Sequence, residues 1–567
     1  MYFMISRLLS IVLMLIVFRP FQTSCQSIIS DVPPTGDLRT AAEWEEIQAL
    51  VVTWRDYKST LAEIIRYAQE ECKVIVHATN ATTAANELTN TYNVPLGPNV
   101  QIVSQPNNSL WIRDYGANTV YINEVDSLFL LDWKYNRPSR VADDSIPRRY
   151  ARELDVNLVQ TTLEPNRVVH TGGNFMSDGF GTGFSSELIL EENPTKSEAQ
   201  IDQIMESYMG IDRYIKMPVL PYDGIHHIDM HMKLLDEETL LWAQYPTGVA
   251  DGPQIEANLL YVLDNFNSVF GTPYKIKRVV APPDYSGNGN AIYPNNGGDY
   301  RTYSNSVFVN GTVLLPTYGG PFDTTAVRIY KENLPGYRIV PIDCQSIIAA
   351  SGAIHCITHS VGVNDPLLIS HQALNDTYDT ENAYAVNALI KHRSGIQSAT
   401  LYYSTDTLAG FNSLPMTETG ANDNWTAAIP AQEAGTKVYY YIQGISETGK
   451  IQVRPLTAPE GRWDFMVLDT GTVTSVQKDI LDKLFSVSAF PNPTAGLACI
   501  PVYTPDGLAI NLEVLDITGR LVKQIYQGEI SSGEARFYLQ PGDLQSGIYL
   551  IRVQTHFGDR IQKLIVN

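Results

Sequence analysis

The chain has 567 residues, more than one hydrophobic core can use, because cores stop growing beyond about 250–300 residues, so several domains are expected. Hydrophobic residues make up 44% and charged residues 18%, a globular balance that excludes a largely disordered chain. The chain has 40 Lys and Arg residues and 61 Asp and Glu residues, which gives a net charge of −21. This charge argues against nucleic acid as a partner, because nucleic-acid binding depends on Lys and Arg side chains that neutralise phosphates.

The N-terminus has the pattern of a secretory signal peptide, expected over residues 1–25. Arg7 precedes an apolar run at 8–18, and small polar residues follow up to Cys25. The run is shorter than the roughly 20 residues that a membrane span requires. Gln22 stands where a lipoprotein signal has an aliphatic residue, which argues against Cys25 as a lipid anchor. We therefore expect an exported protein without a membrane span.

Residues 40–370 alternate strand-like and helix-like patterns, which predicts an α/β domain. The apolar periodicity of residues 61–71 indicates a helix, and the apolar run at 73–79 indicates a buried strand. Further strands are predicted at 127–135, 186–192, 239–245 and 306–316.

The pattern changes near residue 375, where short alternating strands with Gly, Asn and Asp turns replace the helical segments. Residues 375–470 match the size and turn spacing of an immunoglobulin-like β-sandwich. Residues 484–567 are again all β and predict a small C-terminal sandwich.

Four signals near the C-terminus resemble the sorting domain of the type IX secretion system. They are, in order, FPNP at 490–493, DITGR at 516–520, LQSGIYL at 544–550 and KLIVN at 563–567. The resemblance implies contact with the type IX secretion machinery and a bacterial protein that is secreted or attached to the outer-membrane surface. By themselves, these turns and apolar runs indicate only a small sandwich.

Cys356 lies in the stretch I-H-C-I, shortly after Gly352. A thiol becomes a nucleophile where positive charge favours the thiolate, and the glycine permits a close approach of the backbone or an unusual turn. A buried cysteine on an apolar strand is the alternative interpretation.

His227 and Asp229 are two residues apart, so on a strand both side chains would project from one face. A carboxylate beside an imidazole can orient the ring and raise its pKa, as a general acid/base requires. His231 would share that face, which leaves a metal cluster of His227, Asp229 and His231 as an alternative. A polar strand face in water is a third interpretation.

Asp114 follows Trp111 and Arg113 in the stretch W-I-R-D-Y. Its carboxylate can accept two parallel hydrogen bonds from a planar cation, and the indole face can add a cation–π contact. Pairing of Arg113 and Asp114 with surface neighbours is the alternative.

Five motifs in order resemble the guanidino-group-modifying superfamily. They are W-x-R-D-Y, T-G-G-N at 171–174, H-x-D at 227–229, Y-S-N at 303–305 and I-H-C-x-T-H at 354–359. The match covers residues 42–363, beginning with AEWEE, and is similar above all to the bacterial, Porphyromonas-type peptidylarginine deiminases, with agmatine deiminases as relatives. That branch is secreted and carries an immunoglobulin-like domain and a sorting domain behind the catalytic one, a layout that this chain resembles.

The resemblance implies a five-bladed α/β-propeller (pentein) of ββαβ modules around a central polar pocket. Residues 42–363 would provide about 64 residues for each of five modules, a reasonable size for such a unit. The sequence itself shows no clear repeat.

The resemblance also implies roles for individual residues. Asp114 and Asp229 would grip the guanidinium nitrogens, and His227 would act as general acid/base. Cys356 would attack the central carbon, and Asn305 would help to position the site.

The remaining substrate contacts implied by the resemblance are Trp111 and Arg137, the latter for a substrate carboxylate. The peptidylarginine branch typically has a second arginine two residues later, whereas this chain has Ser139 and then Arg140. The preference for a C-terminal arginine therefore stays open.

The predicted reaction is hydrolysis of the guanidino group of arginine, peptidyl or free, to citrulline and ammonia through a covalent thiouronium on Cys356. No metal or organic cofactor is needed for this chemistry. An agmatine deiminase that produces N-carbamoylputrescine and a non-catalytic surface adhesin are the alternatives. The cysteine count also allows one disulfide, between Cys72 and Cys344.

Overall fold

The computed structural model describes residues 29–246, 248–420, 423–468, 486–494, 496–504, 507–516, 520–540, 544–555 and 558–566. The predicted signal peptide at 1–25, including Cys25, lies outside the described residues.

The α/β domain contains, within the described residues, five units of the same connectivity. Each has an antiparallel pair of strands, then a helical segment, then a strand parallel to the second strand of the pair. We number these units modules 1 to 5. In module 1 the first strand comes from the far end of the domain, because His359–Gly362 pairs antiparallel with Ile47–Trp54. The two ends of the domain are therefore joined in one sheet.

The bounds of the four elements follow the same order in every module. First strand, second strand, helix and last strand are His359–Gly362, Ile47–Trp54, Lys58–Ala68 and Lys73–Ala78 in module 1, and Asn118–Ile122, Ser127–Tyr135, Ile146–Leu154 and Asn157–Thr161 in module 2. In module 3 they are Met176–Ser177, Thr182–Ser186, Glu198–Met209 and Arg213–Met217, with a short extra helix, Leu188–Glu191, before the main one. They are Met232–Leu234, Thr239–Gln244, Gly252–Asn265 and Lys275–Val280 in module 4, and Val307–Val309, Thr312–Thr317, Pro321–Asn333 and Arg338–Asp343 in module 5. Smaller elements that extend or connect the modules are the strands Ile29–Ser30, Leu38–Thr40, Val100–Ser104, Val169–His170, Asp284–Tyr285 and Ala291–Ile292, the α-helix Ala81–Asn86, the π-helix Glu87–Thr91, and the 3₁₀ turns Asp143–Ser145, Pro294–Asn296 and Ile348–Ala350.

The helix Glu198–Met209 illustrates how local sequence sets these elements. Ser197 begins it with a capping box shared with Gln200, and Gly210 ends it in the left-handed conformation at φ 66°. A side chain at Gly210 would collide with the Leu38 carbonyl, since its Cβ would lie 1.9 Å from that oxygen. The glycine therefore both stops the helix and lets it contact the neighbouring strand.

Most of the predicted elements of the α/β domain are confirmed. Residues 61–71 overlap the helix Lys58–Ala68, and strands occupy most of 73–79, 127–135, 239–245 and 306–316. The strand predicted at 186–192 is wrong, because Leu188–Glu191 is a short helix in which only Ile189 is buried. An apolar run this short does not distinguish strand from helix by periodicity.

Two β-sandwiches follow the α/β domain, each made of two sheets around its own apolar core. The strands of the first are Leu368–Ser370, Tyr384–Lys391, Ile396–Ser404, Asn412–Pro415, Thr417–Glu418, Asn424–Ile429, Lys437–Ser446, Ile451–Arg454 and Trp463–Met466. Those of the second are Ser486–Val487, Ala498–Thr504, Leu508–Asp516, Leu521–Ile530, Gly533–Leu539, Gly547–Thr555 and Gly558–Val566. No helix in the described part of the chain is long and apolar enough to cross a membrane.

All four cysteines of the described residues, Cys72, Cys344, Cys356 and Cys499, are buried free thiols. The disulfide that the cysteine count allowed between Cys72 and Cys344 is therefore absent. Both of these thiols pack in the apolar core of the α/β domain, where burial raises their pKa.

Buried charges join the first sandwich to the α/β domain. Arg454 Nη2 lies 2.7 Å from Glu237 Oε2, and the two side chains are 14% and 5% exposed. Lys450 adds a second ion pair, with Glu46.

Loss of the Arg454 charge should weaken this junction. We expect Arg454→Met to lower the melting temperature by several degrees, because a buried carboxylate left without its partner costs about 3–5 kcal/mol. Differential scanning calorimetry measures the shift. Arg328→Met is the matched control, since Arg328 and Glu332 form a pair that is 62% and 55% exposed and worth about 0.5 kcal/mol or less. Equal melting temperatures for the two variants would contradict the expectation.

Candidate active site

Five short segments converge at the candidate site, and each one directly precedes the first strand of a module. Two of these segments, Ile112–Tyr115 and His355–Ile357, contact each other. The other three segments precede modules 3, 4 and 5. The five segments are Ile112–Tyr115 (module 2), Gly172–Asn174 (module 3), Ile228–Met230 (module 4), residues 302–306 (module 5) and His355–Ile357 (module 1). The connectivity thus brings together residues that are far apart in the sequence.

Cys356 lies in a 3₁₀ turn and is 2% exposed, so its placement on an apolar strand is wrong. Asn305 holds this turn: its Nδ2 donates to Cys356 Sγ at 3.2 Å, and its Oδ1 accepts from the Ala353 and His355 amides at 3.1 Å each. The predicted site residues Asn305 and Cys356 therefore lie in direct contact.

The Cys356 thiol faces carboxylates. Its Sγ lies 3.5 Å from Asp229 Oδ2. Burial raises the pKa of Cys356 well above its ordinary value, and the nearby charges of Asp229 and Asp114 raise it further. These surroundings therefore favour the protonated thiol.

His227 and Asp229 do not share a strand face, because Ile228–Met230 forms a 3₁₀ turn and the strand begins only at Met232. Asp229 is fully buried, and its Oδ2 accepts from His355 Nδ1 at 2.8 Å. Burial acts to raise the pKa of Asp229, but the hydrogen bond from His355 and the charges of His355 and His227 lower it below its ordinary value. Its second oxygen, Oδ1, has no hydrogen-bond partner among the described residues.

His227 lies opposite Asp114, with Nδ1 at 3.8 Å from Asp114 Oδ1. Neither ring nitrogen of His227 nor this carboxylate oxygen has a hydrogen-bond partner in the described part of the chain. The loop before His227 is fixed from outside the site, because Asp223 Oδ2 accepts from the His227 amide at 3.1 Å and Ser186 Oγ donates to the His226 carbonyl at 2.7 Å.

Two glycines allow the side chains to approach. A Cβ at Gly173 would lie 2.4 Å from His227 Nδ1. A Cβ at Gly352 would lie 2.6 Å from Trp111 Cζ3 and 3.1 Å from Cys356 Sγ. Gly352 therefore serves close approach rather than an unusual turn, and it brings the Trp111 indole next to the thiol.

The charge of Arg137 acts on Asp114, and that of Asp114 acts on Glu192. Arg137 is exposed, and Asn136 Nδ2 donates to Glu192 Oε1 at 2.6 Å. Burial raises the pKa of Glu192 to about 7, offset in part by the Asn136 hydrogen bond and the Arg137 charge. Burial also raises the pKa of Asp114, and the Asp229 charge adds to this, whereas the His227 and Arg137 charges oppose it.

Ser139 and Arg140, which depart from the arginine pattern of the peptidylarginine branch, lie in different environments. Ser139 is exposed. Arg140 Nη1 donates to the Tyr135 hydroxyl at 2.9 Å, so it is held by the protein itself.

Several charged residues of the site were not singled out from the sequence. Arg113 does not pair on the surface but lies 2.9 Å from Glu43 in the interior. Lys233 is 2.7 Å from the other oxygen of Glu43, and His355 links Glu43 to Asp229. The sequence could have indicated these residues by their position, because they are charged or ionisable residues within apolar segments or motifs, as in A-E-W-E-E and I-H-C-I.

His231 does not join His227 and Asp229 in a metal-binding group. Its ring packs edge-on against Trp242, with centroids 5.9 Å apart, and burial lowers its pKa to about 4. Among the described residues no group of three His, Cys, Asp or Glu side chains is arranged to hold a metal ion.

The arrangement suits a flat cation with several N–H donors. Asp114 and Asp229 each have a buried carboxylate oxygen with no hydrogen-bond partner among the described residues, and the Cys356 sulfur lies beside Asp229. Buried acceptors without donors are costly, so a donor-rich ligand would be bound strongly here.

Comparison with known proteins agrees with this chemistry. The profile of Porphyromonas-type peptidyl-arginine deiminases matches residues 39–361, more than half of the chain, and that of a secretion system C-terminal sorting domain matches 488–567. The "Putative agmatine deiminase" of Legionella pneumophila is 27% identical over 335 residues, which cover 56% of this chain and 93% of that protein. The protein of the same description from Vibrio parahaemolyticus is 24% identical over 364 residues, covering 59% and 99%.

Solved structures show the fold. The agmatine deiminase of Enterococcus faecalis superposes with a TM-score of 0.50 at 18% identity, covering 57% of this chain and 96% of that one. The crystal structure of a "putative peptidyl-arginine deiminase" gives a TM-score of 0.50 at 22% identity, covering 58% and 100%. The α/β domain therefore has the deiminase fold, and the sorting domain indicates a bacterial protein that is secreted or attached to the cell surface.

The contact between Gly173 and His227 predicts a sharp loss of activity. We expect Gly173→Ala to lower deiminase kcat/KM about 100-fold, because the new methyl group displaces the imidazole and misplacement by roughly 1 Å costs about that factor. Gly224→Ala is the matched control, since a Cβ there meets nothing within 4 Å. Equal activity of both variants in a steady-state assay would show that the imidazole position is unimportant.

Proposed function

Because the chain belongs to the Porphyromonas-type peptidyl-arginine deiminase family, we propose that it hydrolyses the guanidino group of arginine, peptidyl or free, to citrulline and ammonia. One observation carries this proposal. The Cys356 sulfur lies beside Asp229, His227 lies opposite Asp114, and polar atoms of Asp114, Asp229 and His227 are buried with no hydrogen-bond partner in the described part of the chain.

The reaction follows from these positions. Asp114 and Asp229 accept hydrogen bonds from the N–H groups of the guanidinium and hold its carbon near Cys356 Sγ. The Cys356 thiol releases its proton to solvent as the guanidinium binds. The thiolate then forms a C–S bond, a C–N bond breaks, and the departing ammonia takes a proton from protonated His227. The product of this step is a covalent thiouronium.

The second half of the reaction restores the enzyme. His227 removes a proton from a water molecule, whose oxygen bonds to the thiouronium carbon. The C–S bond then breaks, Cys356 leaves as thiolate and takes up the proton that remains on the new oxygen, and the neutral ureido group of citrulline is released. Asn305 Nδ2, at 3.2 Å from the sulfur, stabilises the thiolate in both steps.

The substrate itself supplies the charge that activates the thiol. In the absence of a cation the two carboxylates raise the pKa of Cys356, as does burial. A bound guanidinium neutralises that negative field and favours the thiolate. Activation is thus tied to the presence of the correct cation.

The mouth of the site favours an arginine with a free carboxylate. Arg137 is exposed beside Asp114 and can pair with a carboxylate attached to the substrate chain. Glu192 Oε2 has no hydrogen-bond partner among the described residues and can accept from an ammonium group. Free arginine carries both groups, and a peptide with C-terminal arginine carries the carboxylate.

Agmatine is the second candidate, because Glu192 could accept from its terminal ammonium while Arg137 would repel it. The agmatine deiminases among the relatives also support this candidate. The sorting domain favours an extracellular arginine substrate over it.

The same proposal covers architecture and domain limits. Five modules of one connectivity, closed by His359–Gly362, support a five-bladed α/β-propeller within the residues 40–370, of which the strand Leu368–Ser370 pairs with the first sandwich. The separate cores of the two sandwiches support domains at 375–470, immunoglobulin-like, and at 484–567.

A panel of four substrates tests the assignment. We expect turnover of L-arginine and Nα-benzoyl-L-arginine, and much less of agmatine and benzoylarginine amide, by assay of ureido product.

Arg137→Ala should lower kcat/KM for the two carboxylate substrates by about 10- to 100-fold, the value of a charge-assisted hydrogen bond, and leave the amide unchanged. Glu192→Gln should lower the preference for arginine over benzoylarginine.

The pH dependence gives a further check within this panel. The Glu192 carboxyl, with a pKa of about 7, ionises as the pH rises from 6 to 8, so the preference for arginine should rise over that range. Arg328→Ala, a surface change, is the control.

Turnover of agmatine alone would overturn the arginine assignment, and full turnover by Cys356→Ser would overturn the thiol mechanism.

Substrate-assisted activation predicts selective alkylation of Cys356. We expect 2-chloroacetamidine, a flat cation, to label Cys356 at least about tenfold faster than neutral chloroacetamide, after both rates are normalised to glutathione. Peptide mass spectrometry measures the labelling, and Asp114→Asn should reduce the ratio. Equal normalised rates in the unaltered protein would show that the carboxylates do not control the thiol.

A further inference from the structure

His355, directly before the cysteine, bridges two carboxylates in the interior. Its Nδ1 lies 2.8 Å from Asp229 Oδ2, and its Nε2 lies 2.5 Å from Glu43 Oε1. The side chains of His355 and Asp229 are 1% and 0% exposed. None of the steps proposed above uses His355 or Glu43.

The contacts of both carboxylates favour the ionised form. Burial acts to raise the pKa of Glu43, but the charges of His355, Lys233 and Arg113 hold it well below its ordinary value. The pKa of Asp229 is also below its ordinary value despite burial, chiefly through its hydrogen bond with His355. An ionised carboxylate accepts hydrogen bonds but donates none, so each ring nitrogen of His355 must carry a hydrogen.

Glu43 is itself held from two sides. Arg113 Nη1 lies 2.9 Å from Oε1, and Lys233 Nζ lies 2.7 Å from Oε2. Lys233 also donates to the Ser306 carbonyl at 2.9 Å, and Arg113 Nε donates to the His355 carbonyl at 3.3 Å. This ion network fixes the far end of the imidazole ring, so His355 cannot turn away from Asp229.

We propose that His355 is a positioning residue: as an imidazolium with both nitrogens protonated, it locks Oδ2 of Asp229 and leaves Oδ1 to receive the guanidinium. It also keeps Asp229 ionised beside the thiol, at 3.5 Å from Sγ. The identity of the bound cation rests on the proposed function, whereas the charge state of His355 does not.

Asp229 is the group whose ionisation the proposal concerns. The titratable and charged groups that act on it from the surrounding segments are His355, His227, Arg113, Lys233, His231, Cys356, Asp114 and Asp223. Of these, His355 makes the closest hydrogen bond to the carboxylate.

Two substitutions separate the contacts of the ring. An asparagine amide nitrogen can occupy the place of Nδ1 and keep the bond to Asp229, whereas a glutamine nitrogen can occupy the place of Nε2 and keep the bond to Glu43. Both remove the positive charge, which raises the pKa of Asp229, so the acid limb of the kcat/KM profile should move to higher pH. We expect a shift of about one pH unit or more in His355→Gln and a smaller one in His355→Asn.

The control is His371→Gln in the first sandwich, where a buried histidine bonds the Asn387 carbonyl and the Tyr440 hydroxyl far from the site. It should leave the acid limb unchanged. A purely structural role of His355 would lower activity with the folded fraction and leave the limb in place, and that result in both His355 variants would overturn the proposal.

Neutron diffraction on crystals of the unaltered protein gives a measurement that needs no variant and no substrate. Deuterium on both ring nitrogens of His355 is the expected result. Deuterium on only one of them would overturn the proposal, even if arginine is the substrate. Absence of arginine turnover with two deuterons would instead overturn the proposed function alone.

Discussion

The buried Asp229 carboxylate is the constraint on which the site depends. In the proposed reaction it accepts from a cationic substrate, yet it lies 3.5 Å from the sulfur that would have to lose its proton. The charge proposed to hold the substrate also raises the pKa of the Cys356 thiol, in addition to the larger effect of burial. His355, Arg113 and Lys233 compensate the negative charge from behind, and the proposed guanidinium completes the compensation in front.

The module connectivity explains how such a cluster is assembled. Each module begins with a strand whose preceding residues lie at the common centre, so Asp114, Asp229, Asn305 and Cys356 each arrive just before a first strand. Module 1 is closed by a strand from the opposite end of the domain, and the turn with Cys356 precedes that closing strand. The position of Cys356 in the site therefore depends on the pairing of the two ends of the domain.

Residue chemistry and local elements could be predicted from the sequence. The helix near 61–71 and the strand Ser127–Tyr135 follow from apolar periodicity, which acts over a few residues. The roles of the Cys, His, Asp and Asn side chains in guanidine chemistry came from the resemblance of five motifs in order, and they stay a prediction. Local pattern failed at His227–Asp229 and at 186–192, where a tight turn and a short helix replace the expected strands.

By itself, the sequence determined the type of chemistry, the local elements and the order of the α/β and all-β segments. Only the tertiary structure decided which charges meet: His355 contacts Asp229 across 126 residues of sequence and Glu43 across 312. It also decided that Arg113 faces inward and that Cys356 is a buried, free thiol. The physical reason is range, since periodicity and turn preferences act between neighbours, whereas the protonation of a buried group depends on every charge packed around it.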